Sequence, residues 1–567
     1  MSTDAPTSPA SAAGSATGSD PALPNDLSVC HALIRQLLEE LQKTRQTNTR
    51  LEHHLQQLLR RIYGRSSEKI DAGQMALFAE MLEQLQGPQT GSPAPVTPPV
   101  PPAPQAAGAS GGGHGRRRLP ADLPRQRVVH DLPEGQKPCP CCGKMRQKIG
   151  EEVTEKLDLI PAQVFVVEHV QIKYACKACE QAAAEAGPQI VLAEKPASPI
   201  EKGLAEPGLL AYVIVSKYSD HLPLNRLERI LGRHDIDIAR STMCDWAAQC
   251  AQGLRPLYDL MVKDLLASRI IHTDDTPVEV LDRTLDQTRT GRFWVYLGDR
   301  SHPYDVFTYT PSRSRDGPMS FLKDWGKAQR VYLQADAFGG YDGIYRGEAG
   351  GRVTEVACMA HTRRKFYDAR GTDVATSTQA LAYIRLLYDV EDQAKALAAA
   401  EADPLPRAQK LWAERLRLRR ELAVPRLVEF KAWLESRQAA RGGSVLPKSP
   451  MGQAITYALN QWDALCVYTT DGELAIDNNA AENALRRVAI GRANWTFCGS
   501  DNGGRTAAIL FSFIATCQRH HANPFEYLRD VLTRIAATPM SQLPQLLPDL
   551  WQQARSRPVE PAASPKA

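Results

Sequence analysis

Acidic residues and cysteines are the groups in this sequence whose spacing could support chemistry. In "IIHTDDTPVEVL", residues 270 to 281, Asp274 and Asp275 stand side by side in a strand-like run. Successive strand side chains point to opposite faces, so at most one of the two serves a site on a given side of the sheet. Asp336 ends the strand-like "RVYLQAD", and Glu482 lies on a helix opened by "AIDNNAAENALRRVAIG". Carboxylates arriving from a central strand, the end of a neighbouring strand and a later helix suit phosphoryl transfer on DNA. That reaction uses two divalent cations held by a few oxygen ligands, with water and phosphate completing each shell. Each position also has a structural reading. Asp336 precedes "AFGGYDG", a stretch full of turn residues, and Asn479 with Glu482 reads equally as a capping box. Arg486 lies one turn beyond Glu482 on the same face, placed for a phosphate or for the glutamate itself.

Cys139 and Cys142 in "CPCCGKM" and Cys176 and Cys179 in "CKAC" form two CxxC pairs around the strand-rich "QVFVVEHVQIKYA". Two such knuckles at the ends of a hairpin supply four thiolates in tetrahedral geometry for a structural Zn²⁺, at about 2.3 Å per bond. A loop too small for its own core takes its fold from the metal. Cys141 inside the first knuckle is an ambiguity, and a redox motif is the alternative. Cys358 and His361 in "CMAH" are also spaced like a metal pair, but with no second pair nearby a metal is not expected there.

The elements that must position these groups span a chain of 567 residues, long enough for several domains. Its 68 basic and 64 acidic residues leave a net charge of +4, so any surface for DNA must be local. The N-terminal stretch carries Asp4 and Asp20 instead of a secretory signal, and the apolar runs "GLLAYVIV" and "AAILFSFIATC" are too short to span a bilayer. The expectation is a soluble intracellular protein with no membrane partner and mostly reduced cysteines.

Residues 1–25 are low in complexity and expected to be disordered. Heptads from Leu27 through Ile34, Leu41, Asn48, Leu55 and Ile62, with Cys30, Leu37, Thr44, Leu51 and Leu58 three positions further on, predict a leucine-zipper-like coiled coil over 26–70. It would pair the chain as a homodimer or higher oligomer through residues 27–62, with Asn48 setting register. A Pro/Gly/Ala-rich linker covers 71–115 and the zinc-binding ribbon 116–190. Residues 191–265 read as a helix-turn-helix-like DNA-binding domain, its second helix capped by Ser241 and presenting Arg240, Ser241 and Thr242 to a major groove.

Strands and helices over 266–372 predict the first part of an α/β core with a mixed sheet. A helical insertion over 373–470, interrupted by Pro404, Pro406 and Pro425, precedes the glutamate helix in 471–500. A C-terminal helical segment at 501–545 and a disordered tail at 546–567 complete the division. "HTRRKF" and "ALRRVAIGRANW" bring His361, Arg363, Arg364, Lys365, Arg486, Arg487, Arg492 and Trp495 to the strand end and the glutamate helix, as a path for phosphate backbone would require.

Together "LRRIYGRSSEK", "GRRRLPADLP", "CPCCGKM", "HTDDTPVEVL", "GRFWVYLGD", "LQADAFGGYDGIY", "CMAHTRRKFYDA" and "IDNNAAENALRRVAIGRANWTFCGSDNGG" resemble the DDE transposases of the insertion sequence 66 family from about residue 27 to 535. The resemblance implies a multidomain α/β protein with a ribonuclease H-like catalytic core that carries an α-helical insertion. It assigns Asp274, Asp336 and Glu482 as catalytic ligands of two Mg²⁺ ions, with Mn²⁺ as a substitute. It also implies cleavage at the ends of an insertion sequence, attack by the freed 3′ hydroxyl on target DNA, accessory proteins of the same element, and a cytoplasmic, nucleoid-associated location. Only the resemblance selects Asp274 over Asp275, which is left a strand-edge or supporting role. The long linker and Cys141 depart from the family pattern. The competing expectations are a DNA-binding regulator with a degenerate core and a nuclease that cuts without joining.

Overall fold

The computed structural model describes residues 164–175, 190–192 and 197–556, apart from 202, 283, 285, 349 and 439–441. The predicted coiled coil, the linker and all four predicted zinc ligands lie outside the described residues. The chain divides into one unit of residues 1–84 with 171–567 and another of 85–170, and every element below belongs to the first. Among the described residues no helix is long and apolar enough to cross a membrane.

A small antiparallel ladder joins β1 (Lys173–Ala175) to β2 (Ile190–Leu192), with Tyr174 opposite Val191. The strand expected to run through "QVFVVEHVQIKYA" is confined to its last three residues, because exposed Phe165 and Val170 upstream have no partner ladder among the described residues.

Four helices follow: α1 (Pro207–Tyr218), α2 (Leu224–Gly232), α3 (Arg240–Gly253) and α4 (Arg255–Leu265). Pro207 opens α1, where a missing N–H costs nothing. Ser241 is not the cap of α3. Ala239 holds that position without a side-chain bond, and Ser241 lies within the first turn. Nor do these helices form a separate domain. Buried Leu210, Trp246, Cys250 and Met261 share one core with the sheet and the C-terminal helices, so the boundaries expected at 265/266 and 500/501 do not divide the packing.

The central sheet is built from β3 (Ile270–Val280), β4 (Arg289–Leu297), β5 (Asp305–Thr310), β6 (Val331–Gln334) and β7 (Val353–Val356), in the order β5-β4-β3-β6-β7. Short α5 (Asp316–Phe321) lies between β5 and β6, and α6 (Asp342–Tyr345) between β6 and β7. The β3, β4 and β5 pairs are antiparallel, whereas β6 and β7 run parallel to β3. On one edge β3 pairs with β4 from His272↔Leu297 to Val280↔Arg289. On the other it pairs with β6 only through His272↔Gln334, and with β8 (Phe497–Cys498) only at Glu279 and Val280. Between those ladders lies the stretch that contains Asp274 and Asp275.

After β7 come α7 (Met359–Ala369), α8 (Val374–Ala398), α9 (Pro404–Leu418), α10 (Val424–Arg437), α11 (Pro450–Asn460) and α12 (Trp462–Cys466). Most of them form the expected helical insertion, whose core around Ile384, Phe430, Ile455 and Leu465 also takes in Ile270 of β3 and Val356 of β7. Pro404 and Pro406 open α9, and a π-helical turn at Arg419–Ala423 absorbs Pro425, whose missing N–H would break a regular α-helix. Arg419, wholly buried, pairs with Glu391 at 2.7 and 2.9 Å and donates to the carbonyls of Tyr468, Asp471 and Leu474. The insertion thereby grips the segment that leads to the glutamate helix.

That helix is α13 (Asn479–Trp495), and α14 (Asp501–Arg519), α15 (Pro524–Arg534) and α16 (Pro548–Ser556) complete the fold. The apolar run "AAILFSFIATC" is buried on all sides because α14 crosses β5 and also packs against α1 and α3. Its Ser512 and Thr516 accept the N–H groups of Phe307 and Asp305, so the outer edge of the sheet is satisfied by side chains. Gly504 permits this approach, since a Cβ there would sit 2.6 Å from the Tyr309 ring. The tail expected to be disordered from 546 instead carries α16, whose Trp551 is buried against Tyr527 and donates to Asp530.

Candidate active site

The parallel register sets two of the three predicted carboxylates side by side. Two residues beyond the His272↔Gln334 pair come Asp274 on β3 and Asp336 just past β6. Glu482 arrives from the first turn of α13. The capping-box reading does not hold, because Asn478 is the N-cap and makes no side-chain cap, so Glu482 is not spent on the helix end. The buried Asn478 instead ties α13 to the open edge of β3. Its amide donates to the Thr273 carbonyl at 2.8 Å, its oxygen lies 3.1 Å from His272 Nδ1, and its backbone N–H donates to Cys358 Sγ at 3.1 Å. Further along, Arg492 binds Thr276 Oγ1 at 2.7 Å and the Pro277 carbonyl, closing the other end of the gap.

The electrostatics of this corner are those of crowded, desolvated acids. Burial pushes the Asp274 carboxyl up to about 7; the Asp275 N–H bond opposes this, while Asp336, Asp275 and Glu482 add to it by repulsion. Asp336 is also raised by burial, with Arg313 and His361 pulling the other way. Asp336 Oδ1 is buried without a hydrogen-bond partner among the described residues. An orphaned carboxylate oxygen beside two more acids suits a divalent cation, which would relieve both the repulsion and the missing bond. Asp274 and Asp336 are the residues that could hold it, whereas the close set of three possible ligands among the described residues is Cys358, His361 and Glu482.

"CMAH" also belongs to this corner. Cys358, His361 and Glu482 bring ligand atoms within 4.8 Å of one another, with His361 Nδ1 3.6 Å from Glu482 Oε1. The partner for Cys358 and His361 that the sequence did not display is a glutamate far away in the chain. Burial pushes the Cys358 thiol up to about 12, so it stays protonated at neutral pH and serves α13 as a hydrogen-bond acceptor.

Asp275 occupies the opposite face of β3, in the stretch that has β4 along one edge and no strand among the described residues along the other. Its side chain is 1 % exposed and paired with Arg292 at 2.9 Å and Arg313 at 2.7 Å. Arg313 also reaches Asp336 Oδ2 at 3.6 Å. Sequence reading missed Arg313, which lies in an ordinary "SRSRDG" loop with no signal of its own. Asn478 stood within the quoted "IDNNAAEN" motif and could have been singled out there.

The predicted DNA-contacting residues separate into two groups. Arg240, Ser241, Arg364, Lys365 and Arg486 are exposed, with Thr242 and Arg363 partly so. Arg487 turns inward to Gln518 and the Ala484 carbonyl, and Arg492 to β3. Trp495 lies half-buried under the Lys217 ammonium, 6.0 Å from its ring centroid.

These features define a mixed-sheet protein with many helices and a cluster of buried acids at its central strand. Comparison with known proteins carries the identification further. A family model described as "Transposase IS66 family" matches residues 202–506, one for the zinc-finger binding domain of transposase IS66 matches 136–180, and one for the IS66 C-terminal element matches 512–548. A fourth, "Transposase C of IS166 homeodomain", matches 50–128. The chain belongs to the IS66 transposase family. The zinc-finger match spans Cys139, Cys142, Cys176 and Cys179 and supports a structural zinc. Similar curated proteins include uncharacterized protein y4hP of Sinorhizobium fredii, 32% identical over 79% of this chain and 79% of its own length. Uncharacterized protein y4jD of the same organism is 29% identical over 76% of this chain and 81% of its own length.

Proposed function

We propose that this protein is a DDE transposase that cuts DNA at the ends of its insertion sequence and joins the freed 3′ hydroxyl to target DNA. What supports this reading is Asp274 and Asp336 standing two residues beyond the same β3–β6 pair, with Glu482 within electrostatic reach of Asp274, in a family of transposases. The strand order, three antiparallel strands followed by two parallel ones, supports a ribonuclease H-like core. When bound, two divalent cations, Mg²⁺ in the cell, supply activation of the attacking oxygen and neutralisation of the leaving one. The carboxylates fix where those charges sit, and Asn478 holds the glutamate helix in register with β3. In the joining step the 3′ oxygen bonds to the target phosphorus, the target P–O3′ bond breaks, and the attacking hydroxyl's proton passes to water. Exposed Arg364, Lys365 and Arg486 line the approach for the phosphate backbone.

The same reading assigns 26–70 to a pairing coiled coil, 116–190 to a zinc ribbon and 191–265 to recognition of double-stranded ends. It places the protein in the cytoplasm at the nucleoid, working with accessory proteins of its element. The test is joining of labelled element ends to plasmid DNA in Mg²⁺. The parent should join, and Asp274→Ala, Asp336→Ala and Glu482→Ala should each lose joining while still binding the ends. Binding without joining in the parent would assign a regulator, and nicked but unjoined product a nuclease.

A further inference from the structure

Arg313 is the cation closest to the acidic corner that the reaction scheme leaves unused. Its Nε and Nη2 donate to Asp275 Oδ1 at 3.0 and 2.7 Å, and Nη2 also lies 3.6 Å from Asp336 Oδ2. The guanidinium stacks over Phe338, 4.0 Å from the ring centroid, and the side chain remains 37 % exposed. Phe338 is itself packed against Trp294 and Tyr341, so the platform is fixed. Asp275 is 1 % exposed and already has a second cation, Arg292 at 2.9 Å. One arginine would neutralise Asp275. The pair leaves one positive charge beyond what Asp275 needs, held by a buried anchor and an aromatic plane and shared in this structure with Asp336.

We propose that Arg313 is a phosphate-contacting residue of the joining site, positioned by Asp275, and that it competes with the catalytic cation for Asp336. This rests on the strand-transfer reading. With a cation on Asp336, the Arg313 N–H groups turn from that carboxylate to a non-bridging oxygen of the scissile phosphate, while Asp275 keeps the guanidinium in place. Arg313 donates hydrogen bonds and transfers no proton, since an arginine stays charged. Its planar fork suits a phosphate, which a lysine would meet only as a point charge. The role of Asp275 is then to aim Arg313 from the far face of the strand.

The competition makes an unusual signature. Removing Arg313 should tighten cation binding while slowing chemistry, whereas loss of a merely structural residue would weaken both. The experiment uses the full chain with Arg313→Ala, Arg313→Lys and Asp275→Asn. Mg²⁺ affinity is read by calorimetry without DNA, and joining is read at saturating Mg²⁺ and DNA. Arg313→Ala should bind Mg²⁺ about fivefold more tightly, the worth of one partly exposed ion pair. Its joining rate should fall about 100-fold, as for loss of one donor to a transition-state oxygen. Arg313→Lys should recover part of the rate, and Asp275→Asn should lower it less than Arg313→Ala does. Unchanged or weaker Mg²⁺ binding by Arg313→Ala, or a parental joining rate, overturns the proposal. If Arg313→Ala does not fold, Arg313→Lys decides it: a parental joining rate overturns the phosphate contact and a reduced rate supports it. If the parent itself never joins ends, the strand-transfer reading fails, and the phosphate contact with it. The calorimetry, which needs no DNA, would still show separately whether Arg313 competes for the cation.

Discussion

Replacing Asp274 by asparagine should make the protein more stable, and increasingly so as pH rises. The Asp274 carboxyl is displaced from its ordinary value of 3.8 to about 7, first by burial and then by repulsion from Asp336, Asp275 and Glu482. The native state therefore holds a proton that the unfolded chain releases. The stability linked to that proton is fully present below 3.8 and is lost as pH climbs through about 7. A displacement of that size corresponds to ~4 kcal/mol, and relaxation of the site brings the expected effect to about 2–4 kcal/mol. Asparagine keeps the shape and carries no charge at any pH. Thermal unfolding in EDTA should show Asp274→Asn ahead of the parent by roughly 2 °C at about pH 5, widening to roughly 5 °C at about pH 8.5. Adding Mg²⁺ at the higher pH should raise the parent more than the variant, because the cation relieves a repulsion the variant lacks. A difference in melting temperature that is the same at both pH values would refute the argument, since it would mean that Asp274 is not held as a strained acid.

The buried Glu391 should matter more to the fold than any exposed ion pair: Glu391→Gln strands the wholly buried Arg419, and denaturant unfolding should show a loss of about 3–5 kcal/mol. An unchanged midpoint would show that the carbonyls of Tyr468, Asp471 and Leu474 suffice. Asn478→Ala leaves the Thr273 carbonyl unpaired on β3 and should cost about 2 kcal/mol, with joining slowed and end binding retained in a gel-shift assay. Parental joining by that variant would remove Asn478 from the positioning of Glu482. Metal analysis of the purified protein should find a tightly held zinc, and Cys176→Ser should lose it; equal zinc in both would exclude Cys176 as a ligand.

Much of the fold was legible because its signals are local. Alternating or apolar runs marked β3, β4 and β5, and helical periodicity marked the insertion between Asp336 and Glu482. Even Pro425 was visible as an interruption, although only the structure shows a π-helical turn accommodating it. Domain boundaries were less legible, because they depend on which faces meet. Residues 191–265 read as a helix-turn-helix-like domain, yet their Trp246 and Cys250 belong to one core with α14 and the sheet. Likewise, "LPDLWQQARS" is too polar overall to suggest order, and its helix is anchored by the burial of Leu547 and of Trp551 against Tyr527 and by the Tyr304 hydroxyl donating to Asp549.

The sequence by itself determined the chemical types: the three acids, the paired cysteines, the basic residues around them, and the family that these motifs share. Strand alternation also required Asp274 and Asp275 to face opposite sides. What each aspartate meets was decided by tertiary structure alone. The parallel pairing of β3 with β6 stops at His272, the Asn478 amide fills the edge beyond it, and Glu482 comes to lie 3.6 Å from His361 and within electrostatic reach of Asp274. On the reverse face Asp275 meets Arg292 and Arg313. The physical reason is range: side-chain direction follows from the backbone geometry of neighbouring residues, whereas electrostatic environment is the sum over groups that only the packed chain brings together.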